Sequence, residues 1–191
     1  MATPLRIDFV SDVACPWCVI GLRSLMKALE AVGDDVEAEI HFQPFELNPD
    51  MAPEGENTTE HVIKKYGSNP ERSAASRNAM KESGDALGFT FNYGPQSRIW
   101  NTFDAHRLLH WAGVEGRQLE LKEALFKANF TDQLSTSDHE VLVGAAKAAG
   151  LDERRARQVL ASGEFTDEVR REEMLWRNRG ISAVPSVIFN Q

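Results

Sequence analysis

Cysteine is almost absent from this chain of 191 residues, which contains only Cys15 and Cys18. Two cysteines can form at most one disulfide, so a small scaffold held together by several disulfides is excluded. A chain of this length can bury a sizeable core without crosslinks. A disulfide that closes so short a loop would remove only about 2 kcal/mol of unfolded-state entropy. We therefore favour a chemical role for the pair over a structural one.

Positive charge and long apolar runs are also scarce. The chain has 21 Lys and Arg against 29 Asp and Glu, a net charge of -8. This balance argues against nucleic acid and membrane surfaces as partners. No apolar run approaches the roughly 18 residues of a membrane span, and the first ten residues lack the apolar core of a secretory signal. We expect a cytoplasmic protein, and in that compartment a close thiol pair is typically catalytic or metal-binding.

The hydrophobic pattern predicts an α/β protein. Residues 5–10 and 36–42 have the composition and alternation of strands, and the segment between them has helical spacing up to Gly33. Such a unit favours parallel strands with a right-handed crossover. From about Thr58 onward the chain is mostly helical, with residues 89–94 interpreted as a loop. Ser137 and Glu140 suggest a capping box, and residues 187–189 a buried final strand.

A metal site would need more ligands than the sequence offers. A closed zinc site takes four ligands, and Cys-x-x-Cys supplies two. His106 and His110 would share one helix face, but Arg107 stands where a zincin motif needs Glu. We predict packing or hydrogen-bonding roles for these histidines and no resident metal.

A redox role agrees better with the surroundings of the pair. Cys15 falls at the predicted helix N-terminus, where free backbone N–H groups and the helix dipole stabilise a thiolate. Pro16 suits the first turn because its missing N–H costs no hydrogen bond there. Cys18 lies one turn on and can attack a mixed disulfide. Trp17 is interpreted as a shield or an apolar contact for substrate, or equally as a surface aromatic without a chemical role.

Five segments together resemble the DsbA-type oxidoreductases of the FrnE-like cytoplasmic branch of the thioredoxin-like superfamily. They are DFVSDVACPWCVIGLRSLMKAL, FQPFELNPDM, NTFDAHRLLHWA, LKEALFKANF and GISAVPSVIFN. The resemblance implies a thioredoxin-like fold (residues 1–45 and 163–191) interrupted by a helical insertion domain (residues 46–162). It also implies that Cys15 is an exposed nucleophile and Cys18 the resolving thiol of a redox-active disulfide. Family members continue with a hairpin strand and a closing helix, so we expect this chain to lack both.

The same resemblance suggests roles for two further segments. Val184–Pro185 resembles the cis-proline loop that faces the cysteines, where the backbone of Val184 would pair with an extended substrate; a trans proline at a strand start is the alternative. NTFDAHR resembles a segment near the active site. Asn101, Asp104 and His106 would contact substrate or tie the helical domain to the core, and we favour the second role.

The leading functional hypothesis is a protein thiol–disulfide oxidoreductase, with disulfide isomerase activity as an extension. It would need no cofactor beyond the Cys15–Cys18 disulfide and would act on protein thiols or disulfides, or with glutathione as co-substrate. A glutathione-dependent isomerase or kappa-type transferase for small aromatic or electrophilic compounds is the first alternative. A non-catalytic protein that binds soft metals or partners through the dithiol is the second. The expected state is a monomer or a homodimer.

Overall fold

The computed structural model describes residues 2–190. Its strands, in chain order, are β1 (Thr3–Ser11), β2 (Val36–Pro44), β3 (Glu56–Asn57), β4 (Arg98–Ile99) and β5 (Ser186–Phe189). Its helices are α1 (Pro16–Val32), α2 (Thr58–Tyr66), α3 (Pro70–Ala86), α4 (Phe103–Val114), α5 (Gln118–Phe126), α6 (His139–Ala148), α7 (Glu153–Ser162) and α8 (Thr166–Asn178). A π-helical turn, Lys127–Thr131, follows α5. The α/β class is confirmed. No helix within these residues is long and apolar enough to cross a membrane.

The first three elements form the predicted strand–helix–strand unit. β1 and β2 pair in parallel, from Thr3 opposite Val36 to Ser11 opposite Pro44. Between them α1 ends at Gly33, whose positive φ of 62° suits glycine at a helix C-terminus. The unit places the end of β1, and with it the two cysteines, at one edge of the sheet.

β5 completes a sheet of order β2-β1-β5 by antiparallel pairing with β1. The prediction that this last strand is buried is wrong for two of its residues, because Val187 is 37% and Phe189 53% exposed. Side chains alternate between the faces of a strand, so only Ile188 packs against the core of Val10 and Trp176.

Two helix starts test the capping predictions. α3 begins at Pro70 as expected, and the Asn69 side chain accepts a hydrogen bond from the amide of Arg72 at 2.8 Å. The predicted capping box is wrong, because the residue that caps α6 is Asp138, which accepts from the amide of Glu140 at 2.7 Å. The Ser137 hydroxyl instead donates to the carbonyl of Asn101 at 2.9 Å.

Aromatic residues from the middle of the chain pack beside the cysteines. α2 to α7 all lie within residues 46–162. Residues 89–94 form a loop, as predicted, and Phe91 of that loop shares one cluster with Cys18, Phe42 and Phe126. This cluster joins β1, β2 and α1 to the helical segment. The division into domains at residues 45 and 163 stays a prediction.

Candidate active site

Cys15 and Cys18 lie where β1 gives way to α1. Cys15 is the N-cap residue of α1, Pro16 opens the helix, and Cys18 follows one turn later. Both cysteines are free thiols. The expectation of an exposed Cys15 is wrong, since only 3% of its surface is accessible, against 0% for Cys18. Val184 packs against the cluster that contains both cysteines.

The loop before β5 faces the first cysteine. The Val184–Pro185 peptide bond is cis, and the Cys15 thiol donates to the carbonyl oxygen of Val184 at 3.6 Å. On α1, a β-carbon at Gly21 would lie 2.9 Å from Cγ of Pro185. Because real β-carbons essentially never approach so closely, glycine at this position lets the helix and the loop come together.

A buried contact between His106 and Asp12 supports the turn that carries Cys15. Nε2 of His106 lies 3.3 Å from Oδ1 of Asp12, and both side chains are almost wholly buried. The other carboxylate oxygen of Asp12 accepts from the amide of Leu47 at 2.7 Å. Burial opposes ionisation of Asp12, but the hydrogen bonds and the charge of His106 outweigh it, so the pKa of Asp12 lies below its ordinary value. The ionised carboxylate therefore joins α4, the turn before Cys15 and the segment after β2.

Asn101, which precedes α4, and Asp104, which lies in α4, make structural contacts. Asn101 accepts from the amide of Phe103 at 2.9 Å and donates to the carbonyl of Met51 at 3.0 Å. Asp104 accepts from Arg107 at 2.7 Å and lies 2.8 Å from Nε2 of His139. Neither Asn101 nor Asp104 lines the cleft beside Cys15.

That cleft has a volume of about 790 Å³. Cys15 lines it and Cys18 does not. Trp17, which is 47% exposed, and Tyr66, which is 60% exposed, contribute large aromatic surfaces to its rim. Its size lies within the range of pockets that hold small organic ligands.

Sequence reasoning missed Lys122 of α5, whose side chain is 1% exposed. Its Nζ lies 5.9 Å from the ring centroid of Phe42 and 5.1 Å from that of Phe126. Burial lowers the pKa of Lys122 to about 8, while negative charge on Cys18, Asp12 or Cys15 would raise it. A lysine four residues before Phe126, on the apolar face of α5, was the available signal.

Lys122 also affects Cys18. Burial raises the pKa of the Cys18 thiol, and the hydrogen bond and charge of Cys15 raise it further. The positive charge of Lys122 and a hydrogen bond from the backbone of Asp12 act in the opposite direction. A thiolate at Cys18 would therefore form in a dry environment with one buried cation nearby.

Glu46 is a second buried ionisable residue that the sequence did not reveal. It lines the cleft and is 2% exposed. Arg170 donates to Glu46 at 2.7 Å and to Glu173 at 2.8 Å. Burial, and then the charge of Glu173, raise the pKa of Glu46 from 4.5 to about 7.

Within residues 2–190, no three His, Cys, Asp or Glu side chains are grouped so as to hold a metal ion. The dithiol at a helix start, beside a cis-proline loop, is the reactive feature of this region.

Comparison with known proteins decides the family. The model of the DSBA-like thioredoxin domain matches residues 6–191. The chain belongs to the DSBA-like thioredoxin domain family. As a member of that family it is a thiol–disulfide oxidoreductase with a thioredoxin-like fold.

Three proteins illustrate the similarity. A probable DsbA oxidoreductase from Streptomyces coelicolor superposes with a TM-score of 0.91 at 34% identity, covering 97% of this chain and 80% of its own. YwbO of Bacillus subtilis is 25% identical over 187 residues, 97% of this chain and 86% of its own. The cytosolic disulfide reductase DsbM of Pseudomonas aeruginosa, at 13% identity, shares the fold with a TM-score of 0.64, covering 97% of this chain and 85% of its own.

Proposed function

We propose that Cys15 and Cys18 are the redox pair of this oxidoreductase, with Cys15 as the attacking thiolate and Cys18 as the resolving thiol. The observation that carries the proposal is that Cys15 lines the cleft whereas Cys18 is fully buried behind it. Only one of the two sulfurs is then placed to meet a substrate. The other is placed to act on the first intermediate.

The proposed reaction has two exchange steps. The Cys15 thiolate attacks a substrate disulfide; one substrate thiolate leaves and takes up a proton, and a mixed disulfide forms. The Cys18 thiolate then attacks the sulfur of Cys15, the mixed disulfide breaks, and the second substrate thiolate leaves. Two electrons pass from the protein dithiol to the substrate, and the Cys15–Cys18 disulfide results. The reverse sequence oxidises a substrate dithiol.

The first test is the redox equilibrium of the pure protein in glutathione buffers, with Cys15→Ser and Cys18→Ser as controls. A reversible two-electron couple that both substitutions abolish supports the proposal. Its midpoint shows whether the protein serves as a reductant or an oxidant. Refolding of a protein with scrambled disulfides measures the proposed isomerase activity, for which the mixed disulfide must resolve on another substrate thiol.

One observation favours a second candidate function, a glutathione-dependent isomerase or transferase. The cleft beside Cys15 has the volume of a site for a small compound. Such an enzyme would use Cys15 with glutathione and would not need Cys18. Glutathione-dependent turnover of small electrophiles that persists in Cys18→Ser would favour this candidate over the dithiol mechanism.

The FrnE-like branch and the cytoplasmic location stay proposals from the sequence. Fractionation of the source cells, with the protein detected by antibody, tests the location directly.

A further inference from the structure

The cleft beside Cys15 has a charge opposite to that of the whole chain. The protein carries a net charge of -8, yet among residues 2–190 five Lys and Arg side chains and a single carboxylate, Glu46, line the cleft. The basic residues are Lys65, Arg72, Arg77, Arg98 and Arg177. They come from α2, α3, β4 and the end of α8, so separate elements bring them to one place.

Within residues 2–190, none of these five cations forms a salt bridge with a carboxylate, and those with hydrogen bonds donate to neutral oxygens. Arg77 donates to the hydroxyl of Thr59 at 3.2 Å. Arg98 donates to the carbonyl of Glu54 at 2.7 Å, and Lys65 to that of Leu47 at 2.5 Å. Neutral oxygens orient these groups without cancelling their charge.

Cations elsewhere in the molecule are commonly neutralised. Arg23 pairs with Glu123 at 2.5 Å, and Arg155 pairs with Glu164. Arg157 pairs with Glu140 on the surface. Within residues 2–190, most Lys and Arg side chains outside the cleft form salt bridges, whereas the five that line the cleft form none.

The reactive sulfur and the five cations line the same cleft. Burial raises the pKa of Tyr93, which lines the cleft; the charge of Cys15 raises it further and the charge of Arg77 lowers it. Cys15 and Arg77 thus both act on one phenol. A molecule with its sulfur at Cys15 would have its other groups within reach of the cations.

We propose that the cleft selects small disulfides, and the corresponding thiols, that carry several carboxylates. Lys65, Arg72, Arg77 and Arg98 would hold the carboxylates while the substrate sulfur meets Cys15. This inference rests on the proposed function and specifies its substrate class. The cleft volume of about 790 Å³ suits a molecule the size of a short peptide.

The chemistry is the two-step exchange already described, with the charged molecule as the disulfide. Cys15 displaces one anionic thiolate, and Cys18 displaces the second. The protein disulfide and two small thiols are the products, and no further oxidant is needed.

The test compares three small disulfides of different charge: glutathione disulfide, which is anionic, 2-hydroxyethyl disulfide, which is neutral, and cystamine, which is cationic. Stopped-flow fluorescence gives the second-order rate at which each oxidises the reduced protein. Each rate is divided by the rate at which the same disulfide oxidises dithiothreitol, which corrects for the intrinsic reactivity of that disulfide. We expect the corrected rate to be highest for the anionic disulfide, lower for the neutral one and lowest for the cationic one. Added salt should reduce the difference between glutathione disulfide and the other two.

The Arg72→Gln/Arg77→Gln variant removes two of the charges. Each lost charge should slow the reaction with glutathione disulfide about threefold, so we expect the rate of the double variant to fall about tenfold. The rate with 2-hydroxyethyl disulfide should stay the same. Arg157→Gln is the matched control, because it removes an exposed Arg outside the cleft. Thermal melts establish that each variant is folded.

The outcomes separate this inference from the proposed function. If all three disulfides oxidise the Cys15–Cys18 pair without preference for the anionic one, or if the double variant slows all three alike, the inference is wrong and the redox function stands. If none of them oxidises the pair, the proposed function fails. A longer acidic peptide disulfide that reacts faster than glutathione disulfide would overturn the preference for small substrates.

Discussion

The two cysteines, three positions apart in sequence, border two different regions. Cys15 borders an open cleft with exposed aromatic residues at its rim and five Lys and Arg side chains along its walls. Cys18 lies in a dry cluster of aromatic and aliphatic side chains with one buried cation, Lys122, beside it. The cleft suits recognition and attack, whereas the dry cluster suits an internal reaction that excludes solvent. Because the two sulfurs have different surroundings, each step of the exchange can be altered separately.

Substitution of Glu46, which lines the cleft, should give the largest effect, a change in how stability depends on pH. Its pKa is raised from 4.5 to about 7. Between these values the unfolded chain has released this proton and the folded chain still holds it, so folding becomes less favourable as pH rises. The Glu46→Gln variant, which cannot ionise, should gain stability relative to the wild type by about 3 kcal/mol from pH 4.5 to pH 7. Urea unfolding at four pH values measures the difference.

Glu120→Gln serves as a control for that measurement, because Glu120 is an exposed carboxylate paired with Arg117 on the surface. A difference between Glu46→Gln and the wild type that stays constant with pH would show that Glu46 ionises normally.

Lys122 allows the corresponding substitution in the buried cluster around Cys18. A unit charge several Å away, at an effective dielectric of about 20, contributes about 2 to 3 kcal/mol. Without this cation the thiolate of Cys18 is harder to form, so the Lys122→Met variant should resolve mixed disulfides about 10- to 100-fold more slowly. Attack by Cys15 on the first disulfide should change much less. Rapid acid quench and mass spectrometry separate the two steps.

Lys127→Met is the matched control for Lys122→Met, since Lys127 is exposed and pairs with Asp132. Equal slowing of both steps by Lys122→Met would mean that the lysine supports packing and does not act on Cys18.

Gly21 lies where α1, the helix that begins at the cysteine pair, meets Pro185 of the cis-proline loop. Overpacking costs typically about 1 to 3 kcal/mol, and we expect Gly21→Ala to lose that much stability and to slow attack by Cys15. Denaturant unfolding and the rate with 2-hydroxyethyl disulfide measure the two effects. Gly144→Ala is the control, because a β-carbon there would meet open space. A Gly21→Ala variant as stable and as fast as the wild type would show that the loop moves aside freely.

The sequence predicted the parts of the fold that local patterns specify. The alternation in β1 and β2 and the glycine that ends α1 depend on neighbouring residues, and all three elements were placed correctly. The position of the cysteine pair at a helix start was predicted in the same way and is confirmed.

The features that were missed depend on contacts between distant residues. Cys15 is buried, and its thiol contacts the carbonyl of Val184, which is 169 positions away. Lys122 is buried against Phe42 of β2, and Ser137 fails as a cap because its hydroxyl is bonded to Asn101. Local propensity carries no information about such partners, so the ionisable residues around the thiols became visible only in the folded chain.

Trp17 gives the smallest expected effect and sharpens the comparison on the cleft side. The side chain is 47% exposed at the rim, so its removal should cost little stability. Aromatic contacts contribute about 0.5 to 1.5 kcal/mol beyond their buried area, so a substrate that covers the indole should react a few-fold more slowly with Trp17→Ala. We expect this loss with a peptide disulfide that carries aromatic residues, and no loss with 2-hydroxyethyl disulfide, which has no aromatic group. Equal rates for both substrates in Trp17→Ala and the wild type would assign Trp17 to the surface without a role in binding. A gain in rate with both substrates would instead indicate that the indole shields the sulfur of Cys15.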